Sequence, residues 1–440
     1  MYGLYEQVRF PSIRAKCKSH FFPLNRLSSR PVLILTAPSA ILHTTPSLYN
    51  AYNLGKAPPP PAADPAIMIT STALVLNEIN GPFSFETIRL DPLRPTEALV
   101  EIHASGVCHT DLSCAEGTLP AETPAVLGHE GGGVVKEVGS EVKHVAPGDK
   151  VLLSFSHCQT CAQCKDGHPA YCYSFVPLNF RGKRPDGSSV MHQHEEKGGK
   201  PLHSGFFGQS SFSRYAVVSA PCFVKVPDDT DLALLAPLGC GLQTGAGVVL
   251  NTLDVQAGKT VAVFGAGSVG MSAIMAAKIR GAGTIIAVDL QQSRLDLASE
   301  LGATHTLLGK DADLVSKIKE MAPPNGVDYA VDCSGVPAVV ENMIECLGSR
   351  GHAASVGAPP PGEKAGIDVF SHLIHGKRFS GCCEGDSIPS KIIPYLMEEY
   401  AKGNYPVDRL VTFYDFQDFQ KAIDDTKRGV ALKAVLVWKQ

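Results

Sequence analysis

Short apolar runs broken by Gly, Pro and Asp fill the chain from about residue 67 to 243. Those at 72–76, 98–104, 132–138, 150–154 and 215–219 are β-rich and too short for helices. Many brief strands with turn chemistry between them predict a small barrel or sandwich. After residue 259 the rhythm changes to alternation. Strand patterns at 259–264, 284–289, 327–333 and 352–356 are separated by helical patterns at 269–279, 293–301 and 338–347. Strand–helix repeats of this length predict an α/β unit, a parallel sheet covered by helices on both faces. Two helices, 389–402 and 416–427, and a strand at 434–438 close the chain. There is no internal repeat.

Residues 1–66 follow neither rhythm. Up to Ala63 they carry the bases Arg9, Arg14, Lys16, Lys18, Arg26, Arg30 and Lys56 against the single acid Glu6. They end in Ala57-Pro58-Pro59-Pro60-Pro61-Ala62-Ala63, a tract that favours extended polyproline backbone. We expect a disordered extension ahead of a cytoplasmic protein. A basic, Ser-rich, acid-poor start also fits a transit peptide, which would make the destination mitochondrial. Prolines at 11, 23, 31 and 38 break any single amphipathic helix there.

Composition narrows the classes. At 440 residues, and about 150 per domain, two or three domains are expected. Lys plus Arg number 39 and Asp plus Glu 43, a net charge of −4, so nucleic acid is not an expected partner. No apolar stretch approaches the ~18 residues of a membrane span. The cysteine count is 13, with no secretory signal ahead of it. That combination favours metal-binding thiolates over disulfides. Cys114, Cys222, Cys333, Cys346, Cys382 and Cys383 read as small buried hydrophobes.

Two motifs carry chemistry on their own. Gly265-Ala266-Gly267-Ser268-Val269-Gly270 follows a strand and opens a helix. Glycines there let the backbone turn tightly and approach a pyrophosphate at the helix N-terminus. The next strand ends in Asp289, 19 residues past Gly270. A carboxylate at that point bonds the adenosine ribose hydroxyls and repels a 2′-phosphate, which favours NAD over NADP. The second motif is Cys158, Cys161, Cys164 and Cys172 in one loop. Four thiolates leave no open position, which suits a closed, structural zinc site. An iron–sulfur cluster is the rival, although its usual spacings are shorter before the fourth Cys. His157 and His168, in the same loop, read as solvated.

Cys108, His129 and Cys240 are dispersed, and each alone is more often a packed side chain than a ligand. With Gly106-Val107-Cys108-His109-Thr110-Asp111, Gly128-His129-Glu130, the glycine-rich run 128–142, Gly239-Cys240-Gly241, the four-cysteine loop and the dinucleotide fingerprint, the chain resembles the zinc-dependent medium-chain alcohol dehydrogenases, in particular their aryl- and benzyl-alcohol branch. The resemblance runs from about Ile67 to the C-terminus. It implies a GroES-like β-barrel catalytic domain (67–242 and 381–440) interrupted by a Rossmann NAD-binding domain (243–380). It implies two zinc ions per chain and NAD. Cys108, His129 and Cys240 would hold a catalytic zinc with one open position. Asp111 would orient His129, and Glu130 would sit behind the metal. Thr110 would take the alcohol proton and pass it to the coenzyme ribose. His109 and Lys433 would face the pyrophosphate and Thr244 the nicotinamide, with Arg294 in the same coenzyme-contacting set. The partner implied is a small alcohol or aldehyde, and a homo-oligomer is the family's habit.

One position departs from that pattern. Where many members carry a His as the outer base of the proton relay, this chain has Ser113, which can pass a proton but cannot store one near neutral pH. Ser154 and Ala358 stand where relatives specialised for small alcohols place larger side chains. We therefore expect a bulky primary alcohol, aromatic or ring-bearing, unless Phe155, Leu119 or the loop 175–212 fills the space. Two rivals remain at this level. One is the glutathione-dependent formaldehyde branch, which has an acidic residue where this chain has Leu119. The other is a non-catalytic relative that only binds NAD, against which the intact Cys108, His129, Cys240 trio speaks.

Overall fold

The computed structural model describes residues 69–439. The extension 1–66 lies outside the described residues.

The first half, joined by the chain's end, builds two sheets that share one core, antiparallel except where Val411–Asp415 pairs in parallel with Lys433–Val437. Ile69–Leu76 pairs with Phe83–Leu90 and Ala125–Val126, and the short strands Met191–Gln193 and Pro201–Leu202 extend this five-stranded sheet. The second sheet has Glu97–Gly106 at its centre, flanked by Gly131–Val138 and by the chain's last strand, Lys433–Val437. Leu74 N–H donates to Phe212 O at 2.8 Å and Arg214 N–H to Thr72 O at 2.8 Å. These crossings stitch the sheets together. Leu74, Ile88, Val100, Val135, Val217 and Leu436 pack inside, as the barrel or sandwich expected from the short runs requires. The second sheet includes residues 433–437, which return from the far end of the chain to pair with Glu97–Gly106.

The second half is a six-stranded parallel sheet in the order His305–Leu308, Thr284–Asp289, Thr260–Phe264, Val327–Asp332, Leu347–Ser355, Arg378–Gly381. Successive residues face opposite sides, as the pleat requires. Val261, Val263, Ile285 and Ala287 pack on Met271, Ile274 and Leu295, whereas Ala262, Phe264, Ile286 and Val288 pack on Leu314, Ile318 and Met343. Helices therefore cover both faces. The strand order reverses between Thr260–Phe264 and Val327–Asp332, and a doubly wound sheet binds its ligand at such a point, beyond the strands' C-terminal ends.

The strands at 284–289 and 215–219 coincide with the sequence expectation. The two edge strands of the parallel sheet, His305–Leu308 and Arg378–Gly381, and the helices Leu314–Met321 and Val369–His375 lie where the sequence shows no pattern. Among the described residues no single helix is long and apolar enough to cross a membrane.

Candidate active site

A helix start, a loop and a second helix start bring three ligand-type side chains together. Cys108 precedes the helix His109–Ala115, whose third residue, Asp111, turns back to accept from Cys108 N–H at 3.0 Å. The other Asp111 oxygen accepts from Gly128 N–H and from His129 Nδ1, both at 3.0 Å. Gly128 has φ +89°, and a Cβ there would stand 2.4 Å from the Phe212 nitrogen, so only glycine lets the chain swing His129 inward. The imidazole stacks on Phe207 with centroids 4.5 Å apart. Cys240 enters from the N-terminus of the helix Gly241–Gly247.

Atoms of Cys108, His129, Glu130 and Cys240 that could bind a metal lie within 4.8 Å of one another, all buried. Because Nδ1 donates to Asp111, the lone pair of His129 is on Nε2, which is buried without a hydrogen-bond partner. An orphaned imidazole nitrogen facing two sulfurs is costly unless a cation satisfies all three. The set fits a divalent ion with nitrogen and sulfur ligands.

Glu130 lies behind this group. Burial raises its pKa, while Lys433 Nζ at 2.9 and 3.1 Å from its two oxygens works the other way. Lys433 is 3% exposed and also donates to Val107 O, so in this structure its ammonium neutralises Glu130 and does not face an open phosphate site. Burial works against that charge, but Glu130 and the Cys108 sulfur hold the ammonium's pKa above the ordinary lysine range. Gly106 is needed here: a Cβ would meet Glu130 Oε2 at 2.0 Å.

The residues opening into the cleft are Cys108, His109, Thr110, Cys240 and Thr244 on one side and Ser355, Gly357 and Ala358 on the other. Its volume is about 580 Å³. Leu119, Phe175, Phe180 and Phe207 give it an apolar wall. Thr110 Oγ1 lies 3.7 Å from Cys108 Sγ, and Ser113 also lines the space. Ser154 does not. It is fully buried, its hydroxyl donating to Gly239 O at 2.7 Å and accepting from Gln243 Nε2 at 2.8 Å. The expectation that Ser154 enlarges the pocket is therefore corrected: the small side chain makes room for the Gly239–Gln243 segment. Cys333, Cys382 and Cys383 line the same cleft, so these three are not only core packing.

One cleft residue gave no signal in the sequence. Glu384 places Oε1 3.8 Å from Cys240 Sγ and accepts from Gln243 Nε2 at 3.2 Å. Burial pushes its carboxyl up to about 7.

At the parallel sheet's switch point Gly265 has φ +93°, and a Cβ on Gly270 would stand 1.8 Å from Gly265 O. Gly267 has nothing within 4 Å of its would-be Cβ and faces open space, as close approach by a pyrophosphate requires. Asp289 accepts from Ala266 N–H at 2.7 Å and Gln291 N–H at 2.9 Å, with Arg294 Nη1 at 3.7 Å. The carboxylate thus braces the glycine turn as well as standing at the strand end.

The four-cysteine loop brings its sulfurs within 4.8 Å of one another, with contacts of 3.5 Å (161–164), 3.9 Å (158–164) and 4.0 Å (161–172). Sulfurs about 2.3 Å from one tetrahedral ion stand about 3.8 Å apart, so a single zinc fits. Backbone N–H groups of Cys161 and Cys158 point at Cys158 Sγ and Cys172 Sγ, each at 3.3 Å, and favour thiolates. His168 is not simply solvated: Nδ1 pairs with Asp386 at 2.7 Å. His157 Nδ1 is buried without a partner, which also departs from the solvated expectation.

Comparison with known proteins adds independent findings. Residues 94–228 match the model of the alcohol dehydrogenase GroES-like domain, and residues 268–402 that of the zinc-binding dehydrogenases. The chain is 41% identical over 372 residues to a geraniol dehydrogenase of Castellaniella defragrans, covering 84% of this chain and 98% of that one. A crystal structure of an alcohol dehydrogenase zinc-binding domain protein from Burkholderia ambifaria superposes with a TM-score of 0.82 at 47% identity, over 85% of this chain and 100% of that one. Benzyl alcohol dehydrogenase from Acinetobacter calcoaceticus gives 0.81 at 40% identity, over 84% and 100%.

Proposed function

Since the chain belongs to the zinc-dependent alcohol dehydrogenases with a GroES-like domain, and is thereby an NAD-dependent oxidoreductase, we propose that its substrate is a bulky primary alcohol, aromatic or ring-bearing, or the matching aldehyde. The observation that carries this is the cleft. Three aromatic rings (Phe175, Phe180, Phe207), Leu119 and the small Ala358 bound about 580 Å³ beside Cys108 and Cys240. Rings gain edge and face contacts there that a two-carbon chain cannot reach. The name of the benzyl alcohol relative supports the aromatic class, and that of the geraniol relative, geraniol being a bulky but acyclic primary alcohol, supports the size and the primary alcohol only. Leu119, apolar in the wall, offers nothing to a glutathione adduct.

We assign the metal sites to Cys108, His129 and Cys240, and to Cys158, Cys161, Cys164 and Cys172. When bound, zinc supplies the Lewis acid and the nicotinamide the hydride partner. Asp111 fixes the His129 tautomer, and Lys433 pairs with Glu130, its charge opposing the effect of burial on that carboxyl. Thr110 Oγ1 accepts the alcohol proton and hands it towards the coenzyme ribose. Ser113 cannot store that proton, so the path ends in water or another base. His109, exposed at the cleft mouth, takes a coenzyme phosphate, while Thr244 packs beside the nicotinamide and Gly265, Gly267, Gly270 and Arg294 border the dinucleotide. We place the catalytic domain at 67–242 and 381–440 and the coenzyme domain at 243–380. A second copy of this chain is the proposed partner, through the edge strand Arg378–Gly381 and the exposed Val369, Phe370, Leu373 and Ile374 beside it. The reduced cysteines suit a cytoplasmic setting.

The test is a kcat/KM profile. Benzyl-type alcohols should exceed ethanol by at least about 100-fold, because each unfilled methylene costs about 1 kcal/mol of transition-state binding. Ala358→Leu should shift preference towards short chains. Equal kcat/KM for ethanol and benzyl alcohol would contradict the assignment.

Coenzyme choice gives a second expectation. NAD should be strongly preferred, and Asp289→Gly should lower the NAD to NADP ratio of kcat/KM by about 10–100-fold, the scale of one lost repulsion and hydrogen bond. Because Asp289 also holds Ala266 N–H, the variant should bind both coenzymes more weakly. Wild-type efficiency equal with both coenzymes would refute the role.

A further inference from the structure

The turn that delivers Glu384 is strained. Glu384, Gly385 and Asp386 have φ of +47°, +70° and +46°, a left-handed run that includes two non-glycine residues. For a non-glycine residue such backbone is costly and persists only where neighbours enforce it. Here they do. Asn251 Nδ2 donates to Gly385 O at 3.0 Å and to Asp386 O at 3.1 Å, and His168 from the four-cysteine loop pairs with Asp386 at 2.7 Å. Gly247 leaves room for the turn, since a Cβ there would stand 2.3 Å from Gly385 O.

What this framework presents to the cleft is a carboxylate 3.8 Å from the Cys240 sulfur. Without a metal the Cys240 thiol donates to this carboxylate; once a metal takes the thiolate, two anions would stand this close in a buried site and repel unless the cation is shared between them. Among the described residues no Lys or Arg pairs with Glu384, whereas the neighbouring Glu130 is already satisfied by Lys433. Oxygen and sulfur ligands of one tetrahedral zinc stand about 3.6 Å apart, so the observed distance suits a shared ion.

We propose that Glu384 is a further ligand of the catalytic metal, taking the position left open by Cys108, His129 and Cys240 until substrate displaces it. The proposal rests on those three being the metal ligands. Its role is to retain the ion in the resting enzyme: with two thiolates already balancing the dication, a carboxylate at the open position slows metal loss.

The experiment compares wild type with Glu384→Gln and Glu384→Asp, each with cobalt(II) exchanged into the catalytic site and no coenzyme or alcohol present. The visible d–d bands of the resting protein should shift in Glu384→Gln. Release of the exchangeable zinc to a chelator should accelerate at least about tenfold, the scale on which even outer partners of ligands alter metal affinity. Glu384→Asp should restore part of both effects. The non-exchangeable zinc and the thermal transition report that each variant is folded. Unchanged spectra and release rates, or an effect confined to alcohol KM, would overturn the proposal. If wild type itself held no exchangeable metal, it is the three-ligand assignment that would fail.

Discussion

Cys158→Ser should empty the four-sulfur site and lower the thermal transition by about 10 °C or more. The loop from Cys158 to Cys172 holds only two short helical turns, Ala162–Lys165 and Pro169–Tyr171, and its sulfurs converge to 3.5–4.0 Å, where thiolates would repel one another without a cation between them. Metal binding at such a site is folding free energy, about 10–16 kcal/mol in isolated zinc modules. In a domain of about 150–250 residues each kcal/mol moves the transition by roughly 2–4 °C, so losing a fraction of that energy in the domain that carries the loop gives the expected shift. Activity should fall too, because His168 in this loop anchors Asp386 and with it the Glu384 turn. Calorimetry and metal analysis check it: one zinc per chain and a lowered transition are expected, from the two four-residue groups now present. An unchanged transition with unchanged zinc would show that the loop needs no metal.

Cys240→Ser should do the opposite, removing turnover and sparing the fold. Cys240 is 7% exposed, and serine keeps its shape, so the transition should move by no more than about 2 °C. With the sulfur goes a thiolate that a neutral hydroxyl does not replace, and the exchangeable ion with it. Lewis-acid stabilisation contributes several kcal/mol, so kcat/KM should drop by about 10³-fold or more. Steady-state kinetics beside metal analysis measure both. Retained activity with the exchangeable zinc still bound would remove Cys240 from the site.

The sequence pattern located the parallel sheet because its central strands are buried on both faces and read as unbroken apolar runs: Thr260–Phe264 and Thr284–Asp289 lie within a residue of the pattern. The strands it left out, His305–Leu308 and Arg378–Gly381, are four-residue edges with half-exposed side chains, where pairing is decided by neighbours rather than by period. The four-cysteine loop was legible because its cysteines are close in sequence. Cys108, His129 and Cys240 were legible only through their flanking motifs, since nothing in spacing brings residues 108 and 240 together. Glu384 was invisible for the same reason. It lies 144 positions from Cys240 and reaches it through a turn whose backbone no pattern reveals. Ser154 shows the reverse error: its position was read correctly along the chain, but its hydroxyl faces Gly239 and not the cleft.

The most direct test of the central claim follows one atom. Benzyl alcohol carrying deuterium on both C1 positions is incubated with the zinc-loaded enzyme and NAD in ordinary water. Hydride transfer within the cleft predicts benzaldehyde and reduced coenzyme in equal amounts, with one deuterium on the nicotinamide ring per turnover and none lost to solvent. Coenzyme binding without reduction, or reduction without deuterium on the nicotinamide, would contradict it.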